Sequence, residues 1–250
     1  MTQRNASDRL KVRKRIPAAE RRGSLIRAAR KVFAERGFDG AKTSAIAEAA
    51  GVSEALLYRH FPSKRALYGA VLRQLIQTQN AVYDAIGSPA PSTESLVVVV
   101  SGYLRACVDP EQSSWREGLK VLLSSLAGDG TYAGTVYRRA TGLTVEPLAA
   151  ALSAARACGD IEGPALSPLH TAMFIEHVGT MISVASQLPH GSAPYEADLV
   201  RVVDDAIWFC CRGVGLNIAA ITRCLAAVRN DVPRILGRPA RKRRSATANP

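Results

Sequence analysis

The sequence has few cysteines and no long apolar run. Five of its 250 residues are Cys, and no two of them show the C-x-x-C spacing, so neither a disulfide framework nor a zinc site is expected. The longest aliphatic run, Leu96–Val100, is far shorter than the roughly 20 residues of a membrane helix. The N-terminus is polar and basic, unlike a secretion signal. These absences predict a cytoplasmic protein with reduced, buried thiols and no membrane span.

The common signatures of enzymes are missing as well. The sequence contains no G-x-S-x-G, no glycine-rich phosphate loop and no H-E-x-x-H, so no catalytic residue and no cofactor is predicted. His170 and His177 lie on one face of a predicted helix, but seven residues span about 10.5 Å along a helix axis. That distance is too long for both to bind one metal ion without other ligands, and no metal site is predicted. The sequence therefore favours a protein that is not an enzyme.

Acidic residues are scarce at the two ends of the chain. Residues 1–75 contain 17 Lys and Arg against 6 Asp and Glu, residues 76–228 contain 9 against 14, and residues 229–250 contain 7 against 1. The net charge of +12 is thus confined to the ends. Cationic ends on a mildly acidic body indicate contact with a polyanion. For residues 229–250, a solubilising tail is an equal alternative.

The spacing of apolar residues predicts a helix over residues 18–36. Gly37 is expected to end this helix in a left-handed conformation, with Phe38 folded back on Phe33. The buried face repeats every three to four residues, as one face of a helix must. It consists of Leu25, Ile26, Ala29, Val32 and Phe33.

Capping residues predict the next three helices. Thr43 is expected to cap a helix that reaches about residue 50, Ser53 one that reaches about residue 61, and Ser63 one that reaches about residue 85. Five further helices are predicted near residues 92–109, 113–127, 131–157, 168–188 and 194–213. Low apolar content predicts disorder in residues 1–17 and from about residue 230 onward.

Residues 43–61 have the spacing of a helix-turn-helix. Ala47, four residues before Gly51, lets two helices cross closely, and Gly51 lets the chain turn with a positive φ. In a helix-turn-helix the second helix enters the major groove of DNA. A purely structural helical hairpin is the alternative that the pattern leaves open. The space beneath the two helices is predicted to be filled by Ile46, Ala50, Val52, Leu57 and Phe61.

Polar residues around this motif are of the types that contact DNA. Thr43 and Ser44 place hydroxyls and free backbone N–H groups at a helix N-terminus, which favours phosphate. The first turn of the second helix usually reaches base edges. That turn carries Ser53, Glu54 and Ala55. Contacts to the DNA backbone are expected from Tyr58, Arg59, His60 and Lys64.

Glu54 is the acidic member of this set and has three interpretations. It could accept a hydrogen bond from a cytosine amine, or it could repel phosphate and so sharpen specificity. It could also remain solvated near the helix N-terminus, where the helix dipole favours a negative charge. The operator sequence is therefore not predicted.

Three motifs, "ERGFDGAKTS", "IAEAAGVS" and "LYRHFPSK", occur in this order along the chain, and Leu67 comes after them. Together with their surroundings, over about residues 20–72, they resemble the DNA-binding domain of the TetR family of transcriptional regulators. The resemblance implies that the helix carrying "LYRHF" is the recognition helix. It implies phosphate contacts by Thr43, Ser44, Tyr58, His60 and Lys64. It implies positions near the bases for Ser53, Glu54, Ala55 and Arg59.

The resemblance also implies an all-α fold of about nine helices that binds double-stranded DNA as a homodimer. We predict a disordered basic arm at residues 1–17 and a three-helix helix-turn-helix DNA-binding domain at 18–80, with its motif at about 43–62. A larger helical ligand-binding and dimerisation domain follows at 81–228, and a basic disordered tail at 229–250.

A ligand cavity is expected among the helices from about residue 92 to residue 188. A cavity with such an apolar lining suits a lipophilic or aromatic effector. Arg138 and Arg139 could instead bind an anionic group of the effector, or they could remain solvated. Ordinary core packing explains each lining candidate as well. The candidates are Trp115, Tyr132, Tyr137, Met173, Phe174 and His177.

The last two predicted helices carry apolar stripes that are candidates for a dimer interface. Packing in the core of the monomer is the alternative for both stripes. The candidate residues are Val178, Met181, Ile182, Val202, Val203, Ala206 and Cys210.

These features predict a ligand-responsive transcriptional regulator, most simply a repressor that binds a palindromic operator as a dimer and is released by a small molecule. The alternative is a DNA-binding architectural or partner-controlled module without a small-molecule effector. The two basic ends favour that alternative, because they would bind any duplex with a steep salt dependence.

Overall fold

The computed structural model describes residues 17–86, 89–109, 113–128, 130–188, 192, 194–195 and 198–235. Within them the chain forms ten α-helices, and the one β-type pairing is an isolated antiparallel bridge between Ile161 and Leu216. The predicted all-α fold is confirmed, with one helix more than expected. The predicted basic arm, apart from Pro17, and the part of the predicted tail beyond residue 235 lie outside the described residues. None of the described helices is both long enough and apolar enough to span a bilayer.

The chain divides into two compact units between Val71 and Leu72, whereas the predicted boundary followed residue 80. The first unit holds three helices and the beginning of a fourth, which continues into the second unit. Their bounds are α1 Ala18–Gly40, α2 Thr43–Ala49, α3 Glu54–His60 and α4 Lys64–Ile86. The second unit adds six helices, α5 Thr93–Val108, α6 Ser113–Leu126, α7 Thr131–Ala157, α8 Pro168–Ala185, α9 Leu199–Gly213 and α10 Ile218–Ile235.

The first helix is longer than predicted because it continues past a break. Gly37 has φ 66° and ψ −178°, so its φ is positive, but it does not adopt the left-handed helical conformation that was expected. One further turn follows, to Gly40. The Phe38 ring stacks on Phe33 with centroids 6.1 Å apart, as predicted. All five residues of the predicted apolar face are buried.

Helix α5 lies at the centre of the second unit and packs against α7, α8, α9 and α10. It begins with a capping box, in which the Ser92 side chain accepts from the Ser95 N–H and the Ser95 side chain accepts from the Ser92 N–H. The run Leu96–Val100 belongs to this helix. Its length and apolar character are explained by burial among four other helices.

Helix α10 was not predicted, and the prediction of disorder from about residue 230 is wrong as far as Ile235. The last predicted helix ended at Gly213. Asn217 starts α10, because its side-chain oxygen accepts from the Ala220 N–H at 2.8 Å, as an N-cap does. The helix is then stabilised by burying Ile221 and Cys224, which are three residues apart.

A polar cluster connects α10 to α5. Asp160, in the loop after α7, accepts at Oδ2 from Thr93 Oγ1 at 2.6 Å and from Arg223 Nη2 at 2.8 Å. These hydrogen bonds, first that of Thr93 and then that of Arg223, lower the pKa of the Asp160 carboxyl, because they stabilise its charged form. One carboxylate thus joins the first turn of α5 to the second turn of α10.

Candidate nucleic-acid interface and ligand cavity

Helices α2 and α3 form a helix-turn-helix with a tight turn at Gly51. The Gly51 φ is 64°, which is the positive value predicted for this position. The Gly51 N–H donates to Glu48 O at 2.9 Å, and the Val52 N–H donates to Ala47 O at 3.0 Å. This pair of hydrogen bonds is the Schellman arrangement that ends a helix at a glycine. The backbone therefore turns from α2 into α3 within four residues.

Helix α3 has one buried face and one exposed face. Ser53 caps it, as predicted, since its hydroxyl oxygen accepts from the Leu56 N–H at 3.3 Å. Leu57 is fully buried, and Phe61 is almost so. The Arg22 guanidinium of α1 lies 4.8 Å from the centroid of the Phe61 ring, a distance suited to a cation–π contact. The buried face thus holds α3 in the unit and leaves the opposite face to solvent.

The nine predicted DNA-binding residues lie on α2, on α3 and its cap, and at the start of α4. Thr43, His60 and Lys64 are half-buried. The other six are exposed, namely Ser44, Ser53, Glu54, Ala55, Tyr58 and Arg59. No hydrophobic packing accounts for an exposed tyrosine beside an exposed arginine, so this surface is available for a partner.

Thr43 does not cap α2, contrary to the prediction. The N-cap position is Lys42, which makes no side-chain capping bond. The Thr43 hydroxyl instead donates to Glu54 Oε1 and lies 3.2 Å from Tyr58 Oη. Because a threonine hydroxyl has one hydrogen, Tyr58 must be the donor of the second bond. Tyr58 thus donates a hydrogen bond to Thr43, and Thr43 donates one to Glu54. This chain of hydrogen bonds links α2 to two turns of α3.

Lys64 is held at the edge of this surface by the end of α1. Its Nζ donates to Asp39 O at 3.2 Å and lies 4.6 Å from the centroid of the Phe38 ring. An ammonium group has three hydrogens, so one contact to a carbonyl leaves hydrogens for a phosphate oxygen. Lys64 is thus positioned before any partner binds.

Two cations near this surface were missed by the sequence analysis. Lys42 is exposed directly before Thr43, and Arg65 is exposed directly after Lys64. The Arg65 guanidinium lies 5.8 Å from the Phe38 ring centroid. Their adjacency to predicted contact residues was the signal that could have found them.

The second unit contains a cavity of about 350 Å³ between α5, α7 and α8. A volume of roughly 300–1,000 Å³ is typical of small-molecule sites. The apolar walls come mainly from α5 and α7, and Pro147 lies in the middle of the α7 wall. On α8 the lining includes Met173 and Glu176. A smaller cavity of about 20 Å³ is lined by Trp115 and Arg139 and shares Tyr103, Ala140 and Glu176 with the larger one.

Met173 is the one predicted lining residue that lines the larger cavity. Trp115 lines the smaller one, and Tyr132 is core, being 2% exposed. Phe174 is 63% exposed, and His177 is also exposed, with its Nε2 atom 3.4 Å from Tyr137 Oη. Phe174 and His177 each follow a lining residue by one position. Because one position rotates a side chain by about 100° around a helix, these two side chains lie on a different face from their lining neighbours.

The predicted interface stripes on α8 and α9 are largely core. Ile182, Val203, Ala206 and Cys210 are buried within the chain itself, while Val178 and Val202 are half-buried. Met181 is exposed. The large apolar side chains exposed on these helices also include Phe174, Val200 and Phe209, of which Val200 and Phe209 were not among the candidates. A groove of about 780 Å³ between α8 and α9 includes Met181 and Phe209 in its lining.

Comparison with known proteins matches residues 25–71 to the family model "Bacterial regulatory proteins, tetR family". The HTH-type transcriptional activator FasR of Mycolicibacterium smegmatis is 39% identical over 90 residues, which are 36% of this chain and 41% of that protein. The HTH-type transcriptional repressor Rv1474c of Mycobacterium tuberculosis is 33% identical over 97 residues, or 39% of this chain and 46% of that protein. The chain thus spans less than half the length of these two relatives.

The fold has solved counterparts over most of its length. AibR, crystallised in complex with isovaleryl coenzyme A and operator DNA, superposes with a TM-score of 0.59 at 18% identity. The superposition covers 76% of this chain and 97% of AibR. At this identity the likeness establishes the fold of both units, and it leaves the ligand of this chain to be argued from its own residues.

Proposed function

We propose that this chain, which belongs to the TetR family of transcriptional regulators through its N-terminal unit, is a repressor that binds a palindromic operator as a homodimer. We further propose that a small molecule bound in the α5–α7–α8 cavity releases it from DNA. The observation that carries the proposal is the exposed face of α3, on a helix-turn-helix whose other face is buried. A helix presented in this way fits the major groove.

The nine surface residues divide into two proposed roles. Ser53, Glu54, Ala55 and Arg59 lie on the exposed side of α3 and its cap, and we assign them to the neighbourhood of the bases. Base contacts determine which sequence is bound, whereas phosphate contacts set orientation and affinity. The phosphate contacts are assigned to Thr43, Ser44, Tyr58, His60 and Lys64.

Homodimerisation is supported by the apolar surface of α8 and α9. Phe209 is 70% exposed and Met181 54%, and both line the groove between α8 and α9. A soluble monomer rarely exposes a large contiguous apolar patch. A dimer presents two recognition helices to successive major-groove faces, about 34 Å apart on B-DNA. Replacing Phe209 with Glu should shift the sedimentation coefficient to that of a monomer, with Phe209→Leu as the control that retains the dimer.

Ligand control is supported by the cavity of the second unit. Its volume of about 350 Å³ and its largely apolar lining favour a compact lipophilic molecule. AibR, which shares the fold, was solved with both isovaleryl coenzyme A and operator DNA bound. We propose by analogy that occupancy of the cavity and binding to DNA are linked in this chain.

Repression is proposed because it requires nothing beyond occupancy of the operator. Activation would require a further surface that recruits the transcription machinery. The named relatives include an activator and a repressor, so the direction must be measured. Transcription in vitro from a template carrying the bound site should fall as the protein is added, and a rise would reverse the assignment.

The central test is a gel-shift titration with the DNA upstream of the protein's own gene and a scrambled fragment of equal length, at two salt concentrations. We expect binding to the upstream fragment to be about 10³-fold tighter. Equal, strongly salt-dependent binding to both fragments would support the architectural alternative instead.

Variants separate the two roles in the same assay. Tyr58→Phe and Lys64→Ala should weaken binding to both fragments by similar factors, whereas Ser53→Ala and Arg59→Ala should reduce the preference for the operator. Arg138→Ala removes the same charge from an exposed site on α7 and should leave both affinities unchanged. If all four variants act alike on the two fragments, the division into base and phosphate contacts is wrong.

A further inference from the structure

The α5–α7–α8 cavity has few polar groups, and most of them are already engaged. Ser95 Oγ bonds within the capping box of α5. Thr144 Oγ1 donates to Ala140 O at 2.7 Å, one turn earlier in α7. Tyr103 Oη donates to Glu176 O at 3.4 Å. Each of these hydroxyl groups bonds to the backbone, so they have little part in selecting a ligand.

Glu176 differs from the other polar groups of the cavity. One carboxylate oxygen, Oε1, accepts from Thr180 Oγ1 at 3.0 Å. The other, Oε2, is buried and has no hydrogen-bond partner among the described residues. His177 Nε2 lies 3.6 Å from it, which is beyond a good hydrogen bond, and this imidazole is exposed. Its one charged neighbour given by the structure is thus an imidazole outside the cavity lining, and a buried carboxylate without a full set of hydrogen bonds is costly.

The surroundings of Glu176 favour a positive charge. Of the described residues that line the larger cavity, Glu176 is the charged one, and none is Lys, Arg or His. Arg139 lines only the smaller cavity, and its Nε donates to Asn80 Oδ1 at 2.6 Å. Tyr103 lines the larger cavity together with Glu176. Its ring stands edge to face with that of Trp115, which lines the smaller cavity, and the two centroids are 6.4 Å apart. A carboxylate next to aromatic rings is the combination that recognises ammonium groups.

We propose that the effector of this cavity is a compact lipophilic amine, bound in its protonated form with its ammonium group beside the Glu176 carboxylate and its hydrocarbon part against the walls of α5 and α7. This inference rests on the proposed function, since it names the class of the small molecule that occupies the same cavity. It distinguishes this chain from a regulator of acidic lipids or of acyl thioesters bearing phosphates. The anionic groups of such ligands would be repelled by Glu176, and no cationic side chain among the described residues lines the larger cavity to bind them.

Three probes with one hydrocarbon skeleton test the proposal by isothermal titration calorimetry at about pH 7. They are 4-phenylbutylamine, 4-phenylbutan-1-ol and 4-phenylbutanoate, which present a cation, a neutral group and an anion. We expect the amine to bind at least about tenfold tighter than the alcohol, a factor that corresponds to about 1.4 kcal/mol. The carboxylate should bind most weakly of the three. A carboxylate that binds as well as the amine overturns the inference.

Two variants assign the preference to Glu176. Glu176→Gln should lower the affinity for the amine about tenfold or more and leave that for the alcohol within about twofold, which also shows that the variant is folded. Glu146→Gln makes the same change of charge at an exposed position of α7 and should alter neither affinity. An unchanged affinity for the amine in Glu176→Gln overturns the assignment.

Failure of this inference is distinguishable from failure of the proposed function. Leu143→Trp narrows the cavity at a half-exposed lining residue and should weaken all three probes if they bind there. If the alcohol or the carboxylate binds in the cavity and the amine is not preferred, the inference alone fails. If none of the three binds to the wild-type protein, ligand control through this cavity fails with it, while the gel-shift titration still decides the binding of DNA.

Discussion

Gly179 of α8 lies so close to Tyr103 of α5 that a Cβ atom at position 179 would stand 2.7 Å from the ring atom Cε1. The same Cβ would lie 2.9 Å from the sulfur of Cys107. Real Cβ atoms do not make such contacts, so the absence of a side chain permits this crossing of two helices. Tyr103 and Glu176, on either side of the crossing, both line the larger cavity. Its geometry therefore depends on a residue that does not touch its interior.

Replacing Gly179 with Ala should destabilise the second unit by about 1–3 kcal/mol, the usual cost of overpacking a core. The matched control is Gly102→Ala on α5, where a Cβ meets nothing within 4 Å and alanine favours the helix by about 0.5–1 kcal/mol. Thermal unfolding followed by circular dichroism should show a lower Tm for the first variant and an equal or higher one for the second. Equal Tm values for Gly179→Ala and the wild type would mean that α5 and α8 can separate freely.

At Gly51 a side chain would strain the backbone without a steric clash, the opposite of Gly179. A Cβ at this position meets nothing within 4 Å, but φ is +64°. Gly51→Ala should therefore cost about 1–2 kcal/mol for the left-handed backbone, whereas Gly51→Asn should cost less, because asparagine tolerates this conformation. Urea unfolding of the two variants gives the comparison. If alanine and asparagine cost the same, the strain is not in the backbone.

The Tyr58–Thr43–Glu54 chain predicts a coupling between two DNA-contact residues. Thr43→Val removes the hydroxyl that accepts from Tyr58 and donates to Glu54, so both side chains lose their orientation. Thr43→Val, Tyr58→Phe and the double variant should then weaken operator binding non-additively, by about 0.5 kcal/mol or more of coupling. Gel-shift titrations of the wild type and the three variants give the four affinities of this double-mutant cycle. Additive losses would show that the two hydroxyls act on DNA independently.

The Asp160 cluster predicts a loss of stability in acid. Its hydrogen bonds hold the pKa of the carboxyl below the ordinary value of 3.8, so the folded state binds fewer protons than the unfolded state around that pH. The stabilisation is present above the ordinary pKa and is lost as the pH falls through the lowered one. Denaturant unfolding between about pH 6 and pH 2.5 should show the difference between wild type and Asp160→Asn shrinking in acid.

Asp205→Asn is the control for that series, since Asp205 is exposed and pairs with Arg201 four residues earlier on α9. Its effect on the free energy of unfolding should be small at every pH, as for most surface ion pairs. An effect of Asp160→Asn that stays constant with pH would mean that the carboxylate is not what joins α5 to α10.

Sequence reasoning succeeded where a local signal decides the structure. Helix α7 was predicted at residues 131–157 and is found there, because a glycine-containing turn precedes it and another follows it. Ser53 and Ser63 cap their helices as predicted. Helix α9 begins at Leu199, five residues later than predicted, because Asp198 is its N-cap. Its carboxylate accepts from the Arg201 N–H at 2.9 Å.

The lining of the cavity could not be read in the same way. Which face of α8 meets α5 and α7 depends on Gly179, whose closeness to Tyr103 exists only in the folded chain. Sequence analysis singled out Phe174 and His177 by residue type, and both are exposed. Glu176 was not among the predicted lining residues, and the burial that raises the pKa of its carboxyl exists only in the folded chain. A charged residue in an apolar lining becomes visible only when the neighbouring helices are present.

Pro147 makes the α7 wall of the cavity easier to bend. Proline has no N–H, so the carbonyl of Leu143, four residues earlier in α7, lacks its usual helical partner. Leu143, Thr144 and Pro147 all line the cavity. The 27-residue helix therefore lacks one backbone hydrogen bond at this level, and a bend here strains fewer hydrogen bonds than a bend elsewhere in the helix. The wall is most compliant where it faces the space that a small molecule would occupy.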